Sequence, residues 1–84
     1  FPGLRLAWEA LAAPSGTTAV LNAANEVAVG AFLSGRLRFD HIHAVNLATL
    51  EAVSPSKPNS LEALLDLDSQ ARNAAEQAAD RLAA

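Results

Sequence analysis

The sequence of 84 residues contains no cysteine, no methionine and no tyrosine, with one tryptophan and three phenylalanines. Without cysteine there is no disulfide framework, no thiolate nucleophile and no zinc-thiolate site, which suits a reducing compartment. Cations are scarce as well: six Lys and Arg stand against nine Asp and Glu, a formal net charge of −3, and they are spread along the chain. The electrostatic footprint of a nucleic-acid binder or of a protein held on an anionic membrane is missing, so neither partner is expected. No apolar run approaches the roughly 18–20 residues of a membrane span, and the N-terminus lacks a charged segment followed by an apolar one. A soluble chain without a signal peptide is expected. The glycines stand singly, at Gly3, Gly16, Gly30 and Gly35, which excludes both common glycine-rich phosphate loops. An initiator Met is lacking too, and an opening on Phe1-Pro2 suggests an excised domain or a processed product.

What is present is small and apolar. The hydrophobic fraction of 51% is carried by Ala, Leu and Val, a composition suited to close-packed helices and poor in strand formers, so the fold is expected to be all-α. A chain of this length is one domain at most, 1–84, and buries only roughly 60–65% of the surface its unfolded form exposes. Its organising stretch is 18–34. Val20, Leu21, Ala24, Val27, Ala28, Ala31 and Phe32 recur there at helical spacing, whereas Asn22, Asn25, Glu26 and Val29 line a different face. The apolar stripe is too wide for one neighbour, so at least two other segments must pack around this helix.

Before it, Pro2 fits a first helical turn, and Leu4, Ala7, Trp8 and Leu11 follow at i, i+3, i+4, i+7, predicting a first helix that ends at Ala13-Pro14-Ser15-Gly16. Thr17 or Thr18 is expected to cap the central helix. Gly30 inside that helix costs about 1 kcal/mol relative to Ala, for which a close helix crossing is the expected reason. Gly35 is a natural C′ residue, and Arg36-Leu37-Arg38-Phe39 reads as a connector with Leu37 and Phe39 tucked inward. Asp40 is the expected N-cap of a third helix, 41 to about 53, with Ile42, Val45, Thr49 and Ala52 on its main face and Leu47 and Leu50 flanking. Residues 54–59, Ser-Pro-Ser-Lys-Pro-Asn, read as an exposed, mobile loop.

Ser60 is the expected cap of the last helical segment, and Leu61, Leu64, Leu65, Ala71, Ala75, Ala78, Ala79 and Leu82 share one helical face. Asp68 and Arg72 fall within that face. Either they form a buried i, i+4 ion pair, or the helix breaks near Leu67 and restarts with Asp68 as its cap. The break is the expectation, because a core this small is poorly placed to desolvate two charges. The architecture expected is a small four-helix bundle-like domain with a broken or kinked last helix.

Few residues carry chemistry. His41 and His43 point about 200° apart on a helix, so one metal ion cannot easily bridge them, and they read as surface residues at a helix N-terminus. Glu9, Asp40, Glu51, Glu62, Asp66, Glu76 and Asp80 lie scattered at helix ends or on outer faces, with no convincing acid/base or metal pair among them. The exception is Asn22, Asn25 and Glu26, three polar groups along one side of an otherwise apolar helix. They are read as structural, satisfying loop amides and fixing the approach of neighbouring segments, or else as a docking surface for another domain. No partner base or phosphate cradle accompanies them, so no catalytic, cofactor-binding or metal residue is assigned.

Phe1-Pro2 with Leu4, Leu6-Ala7 and Glu9-Ala10, then Leu21-Asn22-Ala23-Ala24-Asn25-Glu26-Val27, Ala31-Phe32-Leu33 and Gly35-Arg36-Leu37-Arg38-Phe39, form a specific pattern. It continues through Ile42, Asn46-Leu47, Leu50-Glu51, Ser60-Leu61-Glu62, Asp68 and Ala71-Arg72. Together these resemble the C-terminal helical domain of the 1-deoxy-D-xylulose 5-phosphate reductoisomerase family, over essentially the whole chain. The resemblance implies a cytoplasmic, homodimeric parent enzyme that rearranges 1-deoxy-D-xylulose 5-phosphate. It reduces the product with NADPH and a divalent metal (Mg or Mn) to 2-C-methyl-D-erythritol 4-phosphate, in the non-mevalonate isoprenoid route. The nucleotide fold and the metal ligands of that family lie in earlier domains, so no cofactor is expected in this fragment. Its implied role is to support the parent enzyme's own catalytic domain. The rival from a different class is a free-standing helical protein-interaction module that binds a partner helix or peptide.

Overall fold

The computed structural model describes residues 16–53 and 58–83. Among these there are three α-helices, α1 (Gly16–Leu33), α2 (Ile42–Ala52) and α3 (Leu61–Ala83), a short 3₁₀ turn at Phe39–His41, and no strand. The all-α class holds. The expected first helix, the fourth member of the expected bundle, lies outside the described residues, as do 54–57 of the expected loop. Pro58, at the far end of that loop, is buried.

Helix α1 is central: it packs against both α2 and α3. Val20, Ala24, Val27, Ala28 and Ala31 of the expected stripe are buried, joined by Ala19 and Ala23. Leu21 is only half-buried and Phe32 is exposed. The buried face is thus shifted from the larger side chains onto the alanines. Helical geometry already holds at Gly16, so Thr17 and Thr18 lie inside the first turn instead of capping it. The end of α1 follows its local chemistry. Gly35 adopts φ 79°, its N–H donates to the Phe32 carbonyl at 3.0 Å, and the Arg36 N–H donates to the Ala31 carbonyl at 2.9 Å. This is the Schellman closure, with glycine in the left-handed position that L side chains avoid.

Beyond that corner Leu37 is buried as expected, but Phe39 is not: it is 69% exposed. The 3₁₀ turn ends the alternation that would have put both on one face, and the Phe39 ring sits edge-on to Phe32, centroids 5.5 Å apart at 66°. Asp40 is likewise not the cap of α2. It lies within the turn and pairs with Arg38 (Nε to Oδ1 3.2 Å), while His41 holds the N-cap position without a side-chain capping bond. In α2, Val45 and Thr49 are wholly buried, and Thr49 Oγ1 donates to the Val45 carbonyl at 2.8 Å, which satisfies the hydroxyl inside the core. Ile42 and Leu50 are half-buried, whereas Ala52, placed on the main face by periodicity, is exposed, as is Leu47.

Ser60 caps α3 as expected, its Oγ accepting the Ala63 N–H at 3.0 Å. The helix then runs unbroken from Leu61 to Ala83, which overturns both the break near Leu67 and the capping role of Asp68. Asp68 and Arg72 form the i, i+4 pair instead, Nε to Oδ2 2.8 Å. The desolvation that argued for a break is not incurred in full: Arg72 keeps 40% of its side chain in water. Leu64, Leu67, Ala71, Ala75, Ala78 and Ala79 are the buried residues of α3, Leu67 being an addition to the expected face.

Two clusters make the core. Near the α3 start, Leu64, Leu67 and Ala71 meet Ala19, Val20, Ala23 and Val53. Further along, Ala75, Ala78 and Ala79 meet Ala24, Val27, Ala28, Ala31, Leu37 and Val45. The close seam between helices is therefore built on alanine. Gly30 has no part in it: a Cβ added there would meet nothing within 4 Å, contrary to the expected crossing.

Candidate functional site

The face of α1 opposite the core carries Asn22, Asn25, Glu26, Val29, Gly30 and Leu33, at i, i+3, i+4, i+7, i+8 and i+11. The three polar residues singled out from sequence are all exposed, and they divide in what they do. Glu26 accepts a hydrogen bond from Arg72 Nη2, so a residue 46 positions away ties α1 to α3. Arg72 in turn donates its Nε to Asp68, whose side chain is only 16% exposed. Two carboxylates thus hold one guanidinium. The bond to Asp68, then that to Glu26, raises the Arg72 pKa above its ordinary value against the opposing effect of partial burial. The side-chain amides of Asn22 and Asn25 have no hydrogen-bond partner among the described residues.

A second ionic group fixes the corner after α1. Arg36 lies 3.9 Å from Glu76 and 3.8 Å from Asp80, with all three side chains at least half exposed, so its energetic weight is small. The histidines are not joined into a site: His43 is exposed and His41 half-buried, with its Nδ1 covered and lacking a hydrogen-bond partner. Among the described residues no group of three His, Cys, Asp or Glu is placed to hold a metal ion. The two carboxylates that α1 and α3 bring together, Glu26 and Asp68, are both engaged by Arg72. These residues do not fit a divalent metal, and no step through a metal or nucleotide is assigned to them.

Sequence reasoning missed two features here. The reach of Arg72 to Glu26 has no local signal, because nothing in a chain states which residues 46 apart will meet. The exposed aromatic pair Phe32 and Phe39, with Leu33 beside it at 76% exposure, was partly readable: Leu33 shares the outward face with Asn22 and Val29.

Three packed helices, an alanine seam between α1 and α3, and a guanidinium that joins those two helices through Glu26 and Asp68 define a small all-α helical domain. The family described as DXP reductoisomerase C-terminal domain matches residues 1–74. Relatives named 1-deoxy-D-xylulose 5-phosphate reductoisomerase are similar throughout. The protein of Tolumonas auensis is 48% identical over 83 residues, 99% of this chain and 21% of the relative. That of Shewanella frigidimarina is 50% identical over 72 residues, 86% and 18% respectively. That of Cupriavidus necator is 48% identical over 84 residues, 100% and 21%. The chain belongs to the DXP reductoisomerase C-terminal domain family, and it spans about a fifth of the length of these relatives.

Proposed function

We propose that this chain serves as the supporting helical domain of a complete 1-deoxy-D-xylulose 5-phosphate reductoisomerase, docked against the catalytic part of the same polypeptide and holding no reacting group. The parent is a cytoplasmic homodimer that rearranges its substrate and reduces it with NADPH and Mg or Mn to 2-C-methyl-D-erythritol 4-phosphate. The observation that carries this reading is near half identity to enzymes of that name across the entire chain. The free-standing interaction module leaves that length of identity unexplained. No helix among the described residues is long and apolar enough to cross a membrane, which agrees with a parent that works in water.

The test uses the intact polypeptide encoded by the gene that carries this segment. That protein is expected to oxidise NADPH when given 1-deoxy-D-xylulose 5-phosphate and Mg, and a version ending before Phe1 is expected to lose most of that activity. The 84-residue piece alone is expected to give no heat of binding with NADPH in a calorimetric titration. Stoichiometric nucleotide binding by the piece, or a gene that encodes nothing upstream, would sink the reading.

A further inference from the structure

We infer that the outward face of α1 is the surface on which the catalytic part of the same polypeptide docks, with Gly30 as the point of closest approach and Leu33, Phe32 and Phe39 as its apolar end. This rests on the function just proposed and adds to it the face. Three independent observations meet there. Gly30 weakens the middle of a helix, yet nothing inside the bundle occupies the space a side chain would take, so the described fold gives the glycine no use. A glycine on a solvent face is explained when another backbone comes too near for a Cβ.

The second observation is apolar. Leu33 is 76% exposed, one turn from Gly30, and it adjoins the exposed Phe32–Phe39 pair, so large hydrophobic side chains gather at one end of this face. A contiguous group of this kind on a small domain marks a contact surface more often than scattered single residues do. The third is polar. Asn22 and Asn25 present amides without partners among the described residues, at the other end of the same stripe, where they can pair with backbone groups of an incoming segment. An apolar end, a gap and a hydrogen-bonding end in line make a surface about three helical turns long, suited to an extended or helical segment laid along α1.

The occupant is the rest of the enzyme. Family members carry this unit as a C-terminal domain, and about four fifths of each relative's length lies outside the match. That polypeptide is tethered to the domain, so its effective concentration far exceeds that of any untethered partner. Other charges do not compete for the face: Glu26 is held by Arg72, and Arg36 faces Glu76 and Asp80 on α3.

Hydroxyl-radical footprinting of the full-length enzyme tests this, with Leu47 on α2, 48% exposed here, as the internal reference. Leu33 and Phe39 are expected to label at least tenfold more slowly than Leu47, and Gly30→Leu is expected to restore most of the lost labelling. A Cβ at this position meets nothing within 4 Å in the bundle, so the variant is expected to fold, and circular dichroism checks that it does. Slow labelling of Leu47 with free labelling of Leu33 and Phe39 would place the docking on α2, overturning this inference while leaving the docked reading intact. Fast labelling of all three would overturn both. Protection of Leu33 that disappears on dilution to monomers would put a second copy on the face and overturn the inference as well.

Discussion

The two halves of α3 are buried in different ways. Its first turns reach the core with Leu64 and Leu67, side chains that fill space between helices, whereas its later turns use Ala71, Ala75, Ala78 and Ala79 and bring α3 close to α1. The leucine half gains its stability from apolar area, about 1.5–3 kcal/mol for each side chain fully buried. The alanine half gains little area per residue and depends on the fit of two backbones. One half should therefore suffer most when side chains are removed, the other when they are added.

The largest expected effect is at the leucine end. Leu64→Ala removes a side chain that is 3% exposed and leaves a cavity between α1 and α3, at an expected cost of about 2–5 kcal/mol in urea unfolding. The reverse change at the alanine end, Ala75→Leu, is expected to cost about 1–3 kcal/mol by forcing the helices apart. If Ala75→Leu proves neutral, the seam is looser than described and the contrast between the halves fails.

The ion pair at the junction of the halves sharpens the comparison at a smaller scale. Asp68→Ala and Asp68→Asn are both expected to lose about 1 kcal/mol, the Asn variant no less than the Ala one, because a mid-helix position gains nothing from a capping amide and Asn is the poorer helix former. A near-neutral Asn beside a costly Ala would restore the cap and the broken helix. The raised pKa of Arg72 adds no pH dependence of its own in the usual range. A cation favoured in the folded state contributes fully below its unfolded pKa, which for arginine lies far above neutral pH, and loses that contribution only as pH rises beyond it. The smallest expected effect has the opposite sign. Gly30→Ala in the domain alone should raise stability by up to about 1 kcal/mol, since the new methyl meets nothing.

Features set by neighbours in sequence were legible: the all-α class, the Ser60 cap, the Gly35 terminus, and most of the α1 stripe. Each depends on residues within one or two turns. What was not legible depends on distant partners. Asp68 and Arg72 looked too costly for an unbroken helix because Glu26, far away in the chain, could not be counted as a third partner. Phe39 looked buried because a two-residue alternation was extended through a segment that turns. Gly30 was given a crossing that alanines supply elsewhere. The polar trio lies exposed along α1, but periodicity alone could not separate Glu26, which binds α3, from the two asparagines, which do not.

The Gly35 corner also bears on the order in which the chain assembles. Leu37 folds back beneath α1 through contacts only a few residues long, with its own N–H reaching the Ala31 carbonyl at 3.2 Å. The joining of Glu26 to Arg72 must close a loop of 46 residues. Contacts that close short loops lose less chain entropy, so the corner has the means to form before α3 arrives. In stopped-flow measurements, Gly35→Ala is then expected to slow refolding, while Ala75→Leu acts mainly by hastening unfolding. A short turn, set by one glycine, is thereby expected to govern how fast the chain folds more than how long the fold lasts.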